Sequence, residues 1–190
     1  ITVVTNLTLA AVPAALLPGQ SSQLSGWAWY DDGTVAAVDG GEIAWDPPVH
    51  PIASISTNGV ATAAPVSSYK VGTVTGRYLG VAGSTSIEVL APPTVTTLAA
   101  TEVGPGPGGL QARLNGTVNP GGRPAAAWFE WGLTTNYGQL TPAMPVGAGT
   151  AGVPVSFELS LLAPGAIYHY RVVATNSVAQ MTVTIAVTDR

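Results

Sequence analysis

The sequence predicts an all-β chain of two tandem β-sandwiches, and three observations carry that prediction. Turn residues come first: 23 glycines and 16 prolines interrupt the chain at intervals of roughly 8 to 14 residues. Between them apolar and polar residues alternate, and no window holds a helical i, i+3, i+4 stripe beyond about two turns. Last, Ala91-Pro92-Pro93 is a stiff connector that a central strand cannot contain. It divides 190 residues into halves of roughly 95, each enough for one domain. With 46% of residues apolar, the chain is not of the disordered class despite its glycine and proline.

The first strand is read from ITVVTNLTLAAV. No charged side chain precedes Asp31, and strict alternation places Ile1, Val3, Leu7 and Leu9 on one face with Asn6 opposite. Residues 1–5 then extend beyond the strand that the domain itself needs. Ile1, Val3, Leu7 and Leu9 form a candidate subunit interface, a strand offered to the sheet of a neighbouring copy. The next strand, Gln23 to Tyr30, turns Leu24, Gly26, Ala28 and Tyr30 inward and stops at Asp31-Asp32-Gly33. Trp27 and Trp29 then face outward about 7 Å apart. Such a pair can stack on a sugar ring, bury itself in a protein interface, or be covered by a loop of its own domain.

Further along, Ile43 and Trp45 point inward before Asp46-Pro47-Pro48. Asn58-Gly59 signals a hairpin, because both residues accept positive φ. Val74, Gly76 and Tyr78 share one face, as do Thr85, Ile87 and Val89. The order PGQSSQLSGWAWYDDGTV, IAWDPP, IASISTNGVATA, GTVTGRYLG and STSIEVL resembles the bacterial immunoglobulin-like domain of group 2. The most specific parts of that likeness are Pro18-Gly19-Gln20, Asp32-Gly33, Trp45 and Asn58-Gly59-Val60. The chain departs from the pattern at residues 36–41 and 49–51, where it is longer. On this reading residues 1–90 form the first sandwich with an N-terminal extension strand, 91–93 a proline-rich linker and 94–190 the second sandwich.

In that second half, LLAPGAIYHYRVVATN places Leu162, Pro164, Gly165, Tyr168, Tyr170 and Val172 in the order of a tyrosine corner. A Tyr at the start of strand F there returns its hydroxyl to backbone a few residues upstream. The role falls to Tyr168, with a partner near Leu162. With LNGTVNPGG and WFEWGLTTNYG, the segment resembles bacterial fibronectin-type-III-like modules. Phe129 and Trp131 share one parity and Trp128 and Glu130 the other, so at least one of these tryptophans is displaced from the core. Both resembled families are non-catalytic building blocks of secreted and surface proteins, and the resemblance implies no particular ligand.

Composition narrows the partners. Six basic and ten acidic residues form no stripe that could neutralise phosphates, so no nucleic acid is expected. The same scarcity removes the polybasic route to a membrane, and no apolar run reaches the length of a spanning helix. Only 8% of residues are charged, against about 25% in an average protein. The surface must therefore be covered by small polar residues, partner protein or glycan. Without cysteine there is no disulfide, thiolate or zinc–cysteine site.

Constellations for chemistry are weak. His169 is expected outward with Arg171, and His50 sits in a proline-rich loop without metal partners. Asp31, Asp32 and Asp39 could gather calcium, but Asp is equally favoured in turns for its own hydrogen bonds. GPGPGG at 104–109 lacks the Lys-Ser/Thr ending of a phosphate loop. No G-x-S-x-G elbow is present. No catalytic, cofactor or metal residue is assigned, and no enzyme activity is expected. Two sequons, Asn6-Leu7-Thr8 and Asn115-Gly116-Thr117, are candidate glycosylation sites on outward faces. Thr94, Thr96, Thr97, Thr134, Thr135, Thr182 and Thr184 are expected on outer faces open to O-linked sugar.

Three functional readings follow. The first is a structural subunit of an extracellular filament or surface assembly, polymerising with copies of itself and possessing sites for glycan. An adhesion or carbohydrate-binding module with Trp27 and Trp29 as its platform is the second. Spacer domains of a longer secreted protein are the third. Ile1 in place of an initiator Met fits processing for export, so a secreted, cell-surface location is expected.

Overall fold

The computed structural model describes residues 2–178 and 181–186. It divides into two compact units, Ile1–Ala91 and Pro92–Arg190. Among the described residues no helix is long and apolar enough to cross a membrane.

The strands of the first unit are β1 (Val4–Val12), β2 (Ala15–Leu16), β3 (Ser21–Tyr30), β4 (Val35–Asp39), β5 (Ala44–Trp45), β6 (Ile52–Ile55), β7 (Val60–Ala63), β8 (Lys70–Tyr78) and β9 (Val81–Val89). One sheet has the order β1-β3-β7-β6, with β4 also on β3, and the other β2-β9-β8-β5. The chain leaves the first sheet after β1 and enters the second as β2, parallel to β9. This strand order is immunoglobulin-like: first, second, fifth and fourth strands on one side, third, sixth and seventh on the other. Alternate residues from both sheets meet in the core. Leu16, Leu24, Ile87 and Val89 are fully buried there, each worth roughly 1.5–3 kcal/mol of apolar burial. A second cluster of Val4, Ala28, Val38 and Ile43 closes the other end.

The second unit contains β10 (Thr94–Gly106), β11 (Gly109–Asn119), β12 (Ala125–Gly132), β13 (Gln139–Leu140), β14 (Met144–Gly147), β15 (Val153–Leu162), β16 (His169–Val178) and β17 (Met181–Ala186). Its sheets run β10-β11-β15 and β13-β12-β16-β17, with β14 also on β12. Phe129, Val118, Val172 and Ala127 fill the space between them. It too is an immunoglobulin-like sandwich, so the chain is all-β with two such units in tandem.

The beginning of the chain differs from the expectation of strict alternation. A bulge lies between Val4 and Asn6 in the pairing with β3, and an extra residue reverses which side chains face inward. Val4 is therefore buried at 5% exposure, while Val3 points out at 55%. Leu7 is buried and Leu9 half-buried, both within their own sandwich. Val3 is held by its own unit as well. Its N–H donates to Asp31 Oδ1 at 2.9 Å, and its carbonyl accepts the Asp31 N–H at 2.9 Å. The outer side of β1 is approached by β9, where a Cβ on Gly83 would lie 2.6 Å from the Leu7 carbonyl oxygen. Val3, Leu7 and Leu9 thus do not form one free apolar face, because two of them already pack at home. Ile1 lies outside the described residues.

Candidate functional site

Strand β3 runs from Ser21 to Tyr30 without a bulge against β1 beyond Asn6, so its parity is preserved. Ser22, Leu24, Gly26 and Ala28 are buried, and Trp27 and Trp29 stand on the opposite face. Trp27 is 51% exposed and Trp29 half-buried. On one side Thr8 of β1 is opposite Trp27 and Asn6 opposite Trp29. On the other, Ala37 and Val35 of β4 take the same two places. Directly opposed side chains lie about 4.5–5.5 Å apart at Cβ, so these six residues form one continuous surface. Its middle is aromatic and one flank is aliphatic, with Val35 46% exposed. The other flank offers the exposed Thr8 hydroxyl and Asn6 amide. The Thr5 hydroxyl donates to the Trp29 carbonyl at 3.1 Å, tying the bulge to the central strand.

Charge stays at the ends of this face. Asp31 and Asp32 occupy the hairpin beyond Tyr30, and Asp39 is opposite Ser25. Asp32 accepts the Thr34 N–H at 2.9 Å and the Thr34 hydroxyl at 2.6 Å. Those two bonds, the hydroxyl's foremost, hold its carboxyl below the usual value of 3.8. Asp31 is committed to Val3. The Asp31 and Asp32 carboxylates are thus occupied by turn and strand closure. Among the described residues no group of three or more His, Asp or Glu is placed to hold a metal ion. His50 is exposed, its Nε2 3.4 Å from the Pro65 carbonyl, and His169 is opposite Gly132 at the start of β16.

The two sequons differ sharply. Asn6 is exposed on the face just described. Asn115 is not free: its Nδ2 donates to the Ala99 carbonyl and Thr101 Oγ1, both at 3.0 Å, and to the Arg113 carbonyl at 3.2 Å. That nitrogen is the atom a glycan would take, so an open outward Asn115 is corrected. Its cause is a pair of irregularities in β10, on either side of Thr101, which bring the Ala99 carbonyl over the amide. Thr97 is likewise buried, with its Oγ1 accepting the Val172 N–H at 3.2 Å. The side chains of Thr182 and Thr184 lie outside the described residues.

At the crossover of the second unit, the Tyr168 hydroxyl accepts the Ala163 N–H at 3.1 Å, one residue beyond Leu162. Its ring lies 5.8 Å from that of Trp131. Tyr170 is buried and donates its hydroxyl to the Leu98 carbonyl. Sequence reasoning missed β4 as part of the tryptophan face. The signal was present in VAAVD, whose alternation turns Val38 inward and leaves Val35, Ala37 and Asp39 outside.

No protein-family profile matches the sequence, and no curated protein matches it. Among solved structures, bovine butyrophilin is similar over 95% of this chain and 97% of its own, at 11% identity and a TM-score of 0.44. Dimeric latent PorU from Porphyromonas gingivalis is similar over 99% of this chain at 13% identity and a TM-score of 0.29. This chain spans 20% of that protein's length. The fold class rests on the strand order above and not on either likeness.

Proposed function

We propose that the chain is a non-catalytic structural element of an extracellular or cell-surface assembly, and that it meets copies of itself through the Trp27–Trp29 face. The observation that carries this is the outward aromatic pair. Trp27 is half exposed beside exposed Val35, on a sheet face with charge only at its ends. Contiguous exposed apolar surface of this kind marks interaction sites, and Trp is among the residues most enriched at interface centres. The contact is thereby moved from a donated strand to a sheet face. Polymerisation through β-strand donation is not retained, since Leu7 and Leu9 are packed within their own unit.

We further infer that the first unit is of the bacterial group 2 immunoglobulin-like kind and the second of the fibronectin-type-III-like kind. Pro18-Gly19-Gln20 supports the former, since Gly19 has φ +80° and Gln20 Oε1 accepts the Leu17 N–H. The Tyr168 bond supports the latter. A secreted location belongs to the same reading, whereas glycan on Asn6, opposite Trp29, would cover this face and is not part of it. Analytical ultracentrifugation of the intact chain across a range of concentrations tests the main proposal. Self-association that disappears in Trp27→Ala/Trp29→Ala is expected. A strictly monomeric wild type sinks the proposal and favours the spacer reading.

The Asn6 amide and Thr8 hydroxyl opposite the two indoles favour a second reading, adhesion by sugar stacking. Glycan-array binding lost in the same double variant is its expected sign. An array without signal removes it.

A further inference from the structure

The core of the second unit stays open at the end where the β10–β11 hairpin meets the loop joining β15 to β16. A pocket of about 300 Å³ lies there, lined from β10, β11 and β15 of one sheet and from β16 of the other. We propose that it is a binding site for one alkyl chain, that of a fatty acid or another single-chain amphiphile. Leu114, Leu159 and Tyr170 belong both to the core cluster and to the lining, joined by Leu110, Ala112 and Leu162.

The strands themselves build the opening. Pairing of β10 with β11 is interrupted between Leu98 and Thr101 and again between Thr101 and Gly104. That of β11 with β15 is interrupted between Leu110 and Ala112. Such irregularities bend a sheet and are over-represented beside functional sites. Glu102 and Leu161 have φ of +52° and +59°, a left-handed conformation that side chains of this size rarely adopt and that clusters at functional sites. Each adjoins a lining residue, Val103 and Leu162 respectively. Three interruptions and two strained residues thus surround one pocket. Larger side chains would close this end of the sandwich. Ala100, Gly104, Ala112 and Ala166 stand there instead, and the volume is left open.

The lining selects the class of ligand by what it withholds. The Tyr168 hydroxyl accepts the Ala163 N–H, and the Tyr170 hydroxyl donates to the Leu98 carbonyl, so both phenols are matched within the unit. Gln111 carries the one side-chain amide of the lining, and it lies over Gly106, where a Cβ would be 1.7 Å from its Oε1. No charged side chain lines the pocket. A water molecule in a cavity needs about two to four polar partners, so this space suits hydrocarbon better than water. A sugar or a peptide would give up hydrogen bonds to water without replacement, which is costly. A dry cavity of about 150 Å³ admits one benzene, so on that scale this pocket takes about ten carbons. A single aliphatic side chain from a partner protein would fill roughly half of it. Apolar surface continues outward through Val103, Leu161 and Ile167, all exposed. That continuity suits a chain that enters end-on and leaves its polar head in water.

The test uses the intact chain with ¹³C-labelled Ala, Ile, Leu and Val methyl groups. Decanoate and decyltrimethylammonium, which share a chain under opposite head charges, are titrated to about 10 mM, a range that reads millimolar affinity. Expected are saturable shifts of the Leu110, Leu114, Leu159 and Leu162 methyls with both probes. Hexanoate should bind about tenfold more weakly than decanoate or worse, since each methylene removed forfeits apolar burial. Ala112→Leu fills the pocket from a strand and should weaken decanoate binding about tenfold. Ala166→Leu fills it from an exposed loop position, so its equal loss of binding is read in a protein whose core is untouched. Phosphatidylcholine vesicles separate two sources of the chain. Co-sedimentation lost in Ala166→Leu assigns a bilayer, and decanoate binding without co-sedimentation assigns a free amphiphile; either supports the pocket. Four results overturn the proposal: no shift of the four Leu methyls with either probe, toluene shifting them at lower concentration than decanoate, both variants binding decanoate as tightly as wild type, or shifts that follow protein concentration alone, the sign of a second copy in the pocket.

Discussion

At the residue scale, a few close contacts decide where side chains can go. Gly83 faces the Leu7 carbonyl at a distance no Cβ tolerates, and this brings β9 against the outer side of β1. Gly83→Ala is therefore expected to destabilise the first unit by about 1–3 kcal/mol, measured by urea unfolding of the chain. Asp32 is a second residue with a definite consequence. Its carboxyl is lowered by the Thr34 hydroxyl and N–H, so its contribution is present above the unfolded value and is lost as pH falls through the folded one. A ¹³C carboxyl titration should place Asp32 below 3.8, and Thr34→Ala should move it back up toward that value. An Asp32 that titrates at the same pH in both proteins contradicts the assignment. Asn6, by contrast, is exposed, and Asn6→Gln should leave stability within about 0.5 kcal/mol.

At the element scale, β1 is the strand whose role changed most between sequence and structure. Period-two counting reads Val3, Leu7 and Leu9 as one face because it cannot register an inserted residue. The bulge between Val4 and Asn6 is such an insertion, and it is set by pairing with β3, a partner far along the chain. Trp27 and Trp29 were legible for the opposite reason, since β3 continues unbroken beside them and parity alone fixes their side. The turn at Asn58-Gly59 was legible as a turn but not in its form. Gly59 alone of the pair has positive φ, at +73°, and its N–H donates to the Ser56 carbonyl. Asn115 was misread because two irregularities in β10 re-aim a neighbouring carbonyl. Leu7→Ala tests the reassigned role of β1. Buried at 3%, Leu7 should cost about 2–5 kcal/mol when truncated, read as a lower urea midpoint. A stability unchanged by that substitution returns the strand to the role of a free donor.

At the scale of the whole molecule, two immunoglobulin-like units each carry their own buried clusters. Expressed separately, residues 1–91 and 92–190 should each unfold cooperatively, as units with independent cores do. An all-β fold in two halves was readable from turn spacing and the Ala91-Pro92-Pro93 break, because those signals are local. Which surface meets a partner was not, since it depends on strand register. In the proposed assembly the Trp27–Trp29 face makes the contact while β1 remains in its own sandwich. Hydrogen exchange on dilute and concentrated protein tests this most directly. Amides of residues 4–12 which bond to β3 are expected to be protected already in dilute protein and unchanged on assembly, while residues 25–37 gain protection. Unprotected β1 amides in dilute protein that become protected only on assembly would contradict it.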